Sequence, residues 1–136
     1  MQNNPTLVPV VAVALINQRS EVLMQRRALD KAHGGLWEFP GGKVETAETL
    51  VSALLREIDE ELGIVLDADS LEPLSFAART GQPHVVLLYS CRDWHGEPTA
   101  IEASEIGWFA AESLADLAMP PLDVPLAAAL LRSLKR

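Results

Sequence analysis
Basic residues are scarce in this chain: 11 Lys and Arg stand against 19 Asp and Glu, a formal net charge of −8 over 136 residues. A protein that grips long DNA or RNA by its phosphates needs a basic face, and docking on an anionic membrane needs basic clusters. Neither class fits. A small phosphorylated ligand stays open, because metal ions can supply the positive charge that the side chains lack. Cysteine is nearly absent: Cys91 alone forms no internal disulfide, which suits a reducing cytoplasm. No apolar run reaches the roughly 20 residues that cross a bilayer; the longest, Leu7–Ile16, is too short. The start, Met1–Thr6, is polar and lacks the basic segment of a secretory leader. Repeats, low-complexity tracts and linkers are missing too. The expectation is one domain over residues 1–136, cytoplasmic, a monomer or small homo-oligomer.

Apolar material for a core is plentiful. Hydrophobic residues make up 49% of the chain, and a domain of this size buries roughly two-thirds of its extended surface. Leu7–Ile16, rich in valine, reads as a buried strand, with Asn17–Ser20 as a hairpin-like turn and Glu21–Arg26 as the return strand. Ala28–Leu36 reads as loop, and Trp37–Phe39 as a short extended piece stopped by Pro40-Gly41-Gly42. Over Ala47–Leu62 the period becomes helical, with Leu50, Leu54, Ile58 and Leu62 on one face and Gly63 as the stop. Strands follow at Ile64–Leu66, Leu71–Ala78 and His84–Cys91, then a strand pair that ends at Ile106–Phe109. Ala111–Leu117 and Val124–Leu134 read as helices. The fold class is mixed α/β.

The chemistry concentrates in the first helix. Glu57, Glu60 and Glu61 stand at i, i+3 and i+4, so they share a face, set beside the leucine face rather than in it. Such a run is compatible with a solvated acidic surface. Its position argues otherwise: anions near a helix C-terminus cost about 0.3–1 kcal/mol each, and like charges at i,i+4 repel. The second reading is a divalent-cation site whose oxygen-only ligands suit Mg²⁺ or Mn²⁺. Gly41-Gly42, immediately before, is either a plain tight turn or a place where backbone approaches a phosphate closely.

From Gly42 the sequence GKVETAETLVSALLREIDEELGI resembles the Nudix box, G-x5-E-x7-R-E-U-x-E-E-x-G-U, with U a bulky aliphatic residue. Gly42, Glu48, Arg56, Glu57, Ile58, Glu60, Glu61, Gly63 and Ile64 fill its fixed positions. The preceding Trp37-Glu38-Phe39-Pro40-Gly41-Gly42-Lys43 is similar to the MutT subgroup. The resemblance implies an α/β/α sandwich with a mixed sheet, the box helix on one side and the C-terminal helix on the other. It implies metal ligation by Glu57, Glu60 and Glu61, the Gly41 carbonyl and a later acid, matched by Glu102 with Glu105 as the alternative. It implies catalytic roles for Glu57, Glu60, Arg56 and Glu102, with Glu57 or Glu102 as the base. Arg56 and Glu48, two turns apart on the expected helix, would brace the loop; Gly42, Glu48 and Gly63 are structural. Substrate contacts fall on Arg27, Glu38, Phe39, Lys43 and Asp123.

The resemblance further implies hydrolysis of a small nucleoside triphosphate, such as 8-oxo-dGTP, to the monophosphate and pyrophosphate, in nucleotide-pool sanitation and DNA repair. Asp123 matches the base-reading position, where the 8-oxoguanine enzymes of bacteria carry asparagine and the CTP and 5-methyl-dCTP enzymes resemble this chain. Ionised aspartate only accepts hydrogen bonds and cannot donate to a base carbonyl unless burial raises its pKa. Asp123 is also well placed as the cap of the last helix, and Phe39 reads equally as base wall or core filler. The other readings are a CTP-type pyrophosphatase, a hydrolase of diphosphate-linked nucleosides, and a non-catalytic base-binding domain. His33, His84 and His95 lack ligand spacing. Cys91 reads as an inert buried thiol, and Trp94 and Trp108 as packing residues.

Overall fold
The computed structural model describes residues 6–135. The polar start weighed above as a leader falls outside the described residues up to residue 5.

Strand β1 (Val8–Leu15) organises the molecule. Alternate side chains of a strand point to opposite faces, and here both faces are buried. Val11, Val13 and Leu15 enter one core with Leu54, Ile58 and Leu62 of α1 (Leu50–Leu62). Ala12 and Ala14 enter a second core with Leu126 and Leu130 of α2 (Asp123–Leu134). Burial on both faces explains why this stretch is an unbroken apolar run rather than an alternating one. The result is the expected mixed sheet between two helices.

The remaining strands are β2 (Glu21–Arg26), β3 (Trp37–Glu38), β4 (Gly41–Lys43), β5 (Val65–Leu66), β6 (Glu72–Ala78), β7 (His84–Cys91), β8 (Trp94–His95) and β9 (Glu105–Ala110). One sheet runs β4-β1-β7-β6, with β1 and β7 parallel from Val8↔His84 to Leu15↔Cys91 and the other pairs antiparallel. A second runs β3-β2-β9, and β5 pairs with β8. On β6, the edge strand, Pro73 lies beside a register shift, where proline is tolerated.

Several sequence expectations need correction. β1 and β2 are not a hairpin: both edges of β1 are taken by β4 and β7, so β2 joins the other sheet, and a single bridge, Ile16↔Val22, joins it to the residue after β1. Asn17 stabilises that turn, its Oδ1 accepting from the N–H groups of Arg19 and Glu21. β9 has no partner in β8; it pairs with β2 along six residues, while β8 pairs with β5. Helix α1 starts at Leu50, not Ala47. Ala47 has φ of 69°, outside helical geometry, and Thr49 caps the helix in a reciprocal box with Ser52. Gly63 ends it in the left-handed conformation, as expected. Ala111–Asp116 is a 3-10 turn. α2 begins one residue earlier than read, and its N-terminus has no side-chain cap.

Candidate active site
The segment Gly41–Lys43 lies between β1 and α1. Gly41 pairs with Ala12 and Gly42 with Val11. A Cβ on Gly41 would overlap the Val11 carbonyl, and one on Gly42 would overlap the Glu57 carboxylate. Gly41 therefore lets its strand close on β1, and Gly42 leaves room for the Glu57 carboxylate.

Arg56 ties this segment to the helix. It donates to Glu48 through Nε and Nη2 at 2.7 and 2.9 Å, and to the Lys43 carbonyl at 3.1 Å. Its Nη1 donates to Glu57 at 2.7 Å and to Glu60 at 3.3 Å. The Arg56–Glu48 brace thus exists, but Glu48 stands before the helix, in the loop it braces, and not two turns along it. Hydrogen bonds from Arg56 and the Glu45 backbone hold the Glu48 carboxyl down at about 2.

The three box carboxylates diverge. Glu57 and Glu60 turn to Arg56, whereas Glu61 turns inward and is only 6% exposed. The expectation that all three lie beside the core fails for Glu61, because β2 offers it a polar partner there. Gln25, 3% exposed, donates from Nε2 to Glu61 Oε1 at 2.5 Å. Burial pushes the Glu61 carboxyl up to about 8; the Gln25 hydrogen bond opposes this, and the charges of Glu57, Glu38 and Glu102 add to it. Among the described residues, no three His, Cys, Asp or Glu side chains already form a set able to hold a metal ion. The donors nevertheless fit a hard cation. Glu61 Oε2 and Gln25 Oε1 are buried acceptors without a partner, and a cation with its waters would satisfy both.

Glu61 and Gln25 line a cleft of about 240 Å³ with Glu102, Glu38 and Arg27. Glu105, the alternative to Glu102, begins β9 and pairs with Arg26 at 3.1 Å. A larger cavity of about 520 Å³ adjoins it, sharing Arg27 and Glu38 and reaching Phe39, Gly41–Lys43 and Asp123. Arg27 donates to both Glu38 oxygens, at 3.1 and 3.2 Å, and to the Ala32 carbonyl. Lys43 is exposed at the rim.

Asp123 does not cap α2. Its Oδ2 accepts the Phe39 N–H at 3.0 Å, joining two cavity walls that are 84 residues apart in the chain. Burial pushes its carboxyl up to about 7, against the Phe39 hydrogen bond and with help from Glu38, so it can hold a proton near neutrality. Phe39, 3% exposed, is both core residue and cavity wall. Sequence reasoning missed Gln25, whose signal was a lone amide directly after the apolar Val22-Leu23-Met24 of β2. It also missed Arg79 and Gln82, which line the cavity from the β6–β7 turn, and gave no role to His33 or His84, which line it too; nothing local marks these positions. His95 is exposed on β8. Cys91 is buried, and burial raises its thiol pKa. Trp94 and Trp108 stack on each other at 6.0 Å, as packing residues do.

Residues 6–132 match the family model described as NUDIX domain. A CTP pyrophosphohydrolase of Escherichia coli (strain K12) is 34% identical over 122 residues, 88% of each chain. An 8-oxo-dGTP diphosphatase of the same strain is 35% identical over 125 residues, 90% of this chain and 95% of its own. A solved structure from work on MutT of Aliivibrio salmonicida and Vibrio cholerae superposes with a TM-score of 0.83 at 26% identity, covering 94% of this chain and 99% of its own. Among the described residues, no helix is long and apolar enough to cross a membrane.

Proposed function
The chain belongs to the Nudix family of hydrolases, and from that premise we propose that it is a pyrophosphohydrolase of oxidised or non-standard nucleoside triphosphates. The substrate class is that of 8-oxo-dGTP, released as the monophosphate and pyrophosphate. The observation that carries this reading is the adjacency of two spaces. A cavity with an aromatic wall and a hydrogen-bonding acid, Phe39 and Asp123, opens beside a cleft of oxygen ligands, with Arg27 and Glu38 common to both. A base in the first would bring its phosphates toward the second.

Nudix hydrolases generally need a divalent metal; for this chain we assign Mg²⁺, with Mn²⁺ as a substitute, to Glu57, Glu60, Glu61, Glu102 and the Gly41 carbonyl. When bound, such a cation neutralises phosphate oxygens and lowers the pKa of the attacking water. The side chains supply the rest. Arg56 keeps Glu57 and the Gly42–Lys43 segment in mutual register. Glu57 or Glu102 accepts the proton of the attacking water. Arg27 and Lys43 face the phosphates. Asp123 reads the base: as a carboxylate it accepts from exocyclic amino or ring N–H groups, and as a neutral acid it donates to a carbonyl.

A second reading, preference for CTP or 5-methyl-dCTP, is favoured by the same Asp123, whose acceptor oxygens suit the cytosine amino group. The CTP pyrophosphohydrolase relative supports it equally. The proposal also places the protein in the cytoplasm as a single-domain monomer or small oligomer, acting on free nucleotides in nucleotide-pool sanitation and DNA repair, away from nucleic-acid polymers and membranes. The test is kcat/KM for 8-oxo-dGTP, dGTP, CTP and 5-methyl-dCTP with Mg²⁺, with Mn²⁺ and with chelator. Metal-dependent release of pyrophosphate from one of them is expected. Hydrolysis of none defeats the proposal, and tight metal-independent binding without turnover would identify a non-catalytic base-binding domain.

A further inference from the structure
Gln25 has a place in the site that the box motif does not assign. It is 3% exposed, on the central strand β2 between buried Met24 and half-buried Arg26, with Glu38 and Ile106 as its partners on the two flanking strands. Its amide nitrogen faces two carboxylates, Glu61 Oε1 at 2.5 Å and Glu38 Oε2 at 3.3 Å. In that orientation the amide nitrogen makes both hydrogen bonds and the amide oxygen points away from them. Gln25 Oε1 is therefore left without a donor, and so is Glu61 Oε2. Both side chains are more than nine-tenths buried, and both line the cleft that also holds Glu102. Two neighbouring orphaned acceptors in one polar cleft call for a cation or its water. Through Glu38 the same amide reaches Arg27, which lines the nucleotide cavity.

We propose that Gln25 is the positioning residue of the cation site: it holds one Glu61 oxygen so that the other faces the cleft, and offers its own carbonyl oxygen to the cation's shell. This rests on the divalent-cation reading above. It makes one amide the link between the cation cleft and the Glu38–Arg27 pair of the nucleotide cavity.

The test uses the full chain, Mn²⁺ titrations followed by the electron paramagnetic resonance of free Mn²⁺, and thermal unfolding. Gln25→Met keeps the volume and removes both polar atoms. It is expected to bind Mn²⁺ about 10–100-fold more weakly than wild type, the usual cost of losing an outer-shell partner, with a lower metal-free melting temperature because Glu61 Oε1 loses its donor. Unchanged Mn²⁺ affinity overturns the proposal, as does a lowered melting temperature with unchanged affinity, the signature of a packing role. Gln25→Glu keeps an acceptor but sets a third carboxylate beside Glu61 and Glu38. It is expected to melt lower without metal and to gain more from Mn²⁺ than wild type does; an equal or smaller gain counts against the proposal. Wild type that binds no Mn²⁺ overturns both this proposal and the cation reading beneath it. Wild-type binding that Gln25→Met leaves intact overturns this proposal alone.

Discussion
Glu61 of α1 and Asp123 of α2 belong to the helices on opposite faces of β1, and burial raises both carboxyls, to about 8 and about 7. Their neighbours set them apart. Around Glu61 the charges of Glu57, Glu38 and Glu102 all disfavour ionisation, and one oxygen has no donor. Around Asp123 a backbone N–H and Arg27 oppose the effect of burial, and only Glu38 adds to it. The same direction of shift therefore accompanies different chemistry. On the proposed reading, the carboxylate crowded by its own kind is completed by a cation, whereas the carboxyl held by one peptide N–H keeps an oxygen for a neutral partner such as a base edge.

The largest expected effect lies on the cation side. Glu61→Gln should lower metal-dependent turnover at least about 100-fold, beyond the usual loss of an outer-shell partner, while metal-free stability holds or rises. The new amide is neutral and can donate to Gln25 Oε1, so melting curves with and without Mg²⁺ check both halves. If turnover survives, Glu61 is a core acid and the contrast with Asp123 disappears. Next comes selectivity. Asp123→Ala should change the ratio of kcat/KM between 8-oxo-dGTP and CTP by roughly 10–100-fold, the value of one or two hydrogen bonds in a closed site, and leave Mn²⁺ affinity unchanged. Altered Mn²⁺ affinity would mean that the two acids act as one site.

A pH series sharpens the comparison further. Asp123 has a folded pKa of about 7 against 3.8 for the free side chain. Its folded state binds the extra proton, so stability is fully present below the lower value and is lost as pH rises through the upper one. Asp123→Asn retains an acceptor for Phe39 and lacks the titration. Relative to wild type it should gain about 2 kcal/mol between pH 5 and pH 8 in urea unfolding; a constant difference would show that the carboxyl is not effectively buried. The smallest effect is a control outside both regions. Thr49→Ala removes the α1 cap and should cost about 1 kcal/mol of stability, with kcat/KM unchanged per folded molecule.

Much of this was legible in the chain because the physics is local. The valine run of β1 announces burial, the leucines of α1 mark one helical face, and Gly63 stops the helix because it accepts the left-handed conformation. The spacing of Arg56, Glu57, Glu60 and Glu61 carries the family resemblance. Non-local pairings were not legible. Asn17–Ser20 looks like a hairpin turn in any context, and only the occupation of both β1 edges sends β2 to the other sheet. Asp123 reads as a cap from its neighbours alone, and becomes a cavity wall because Phe39 brings an unpaired N–H to it.

The scarcity of basic residues, the α/β class and the acidic box were determined by the sequence itself, since composition and short-range spacing are properties of the chain. Which carboxylates are buried, which of the box glutamates faces Gln25, and which acid of Glu102 and Glu105 enters the cleft were decided only by tertiary structure. Desolvation and hydrogen-bond partners depend on segments far apart in sequence, and they alone separate one glutamate of the same helix face from the next.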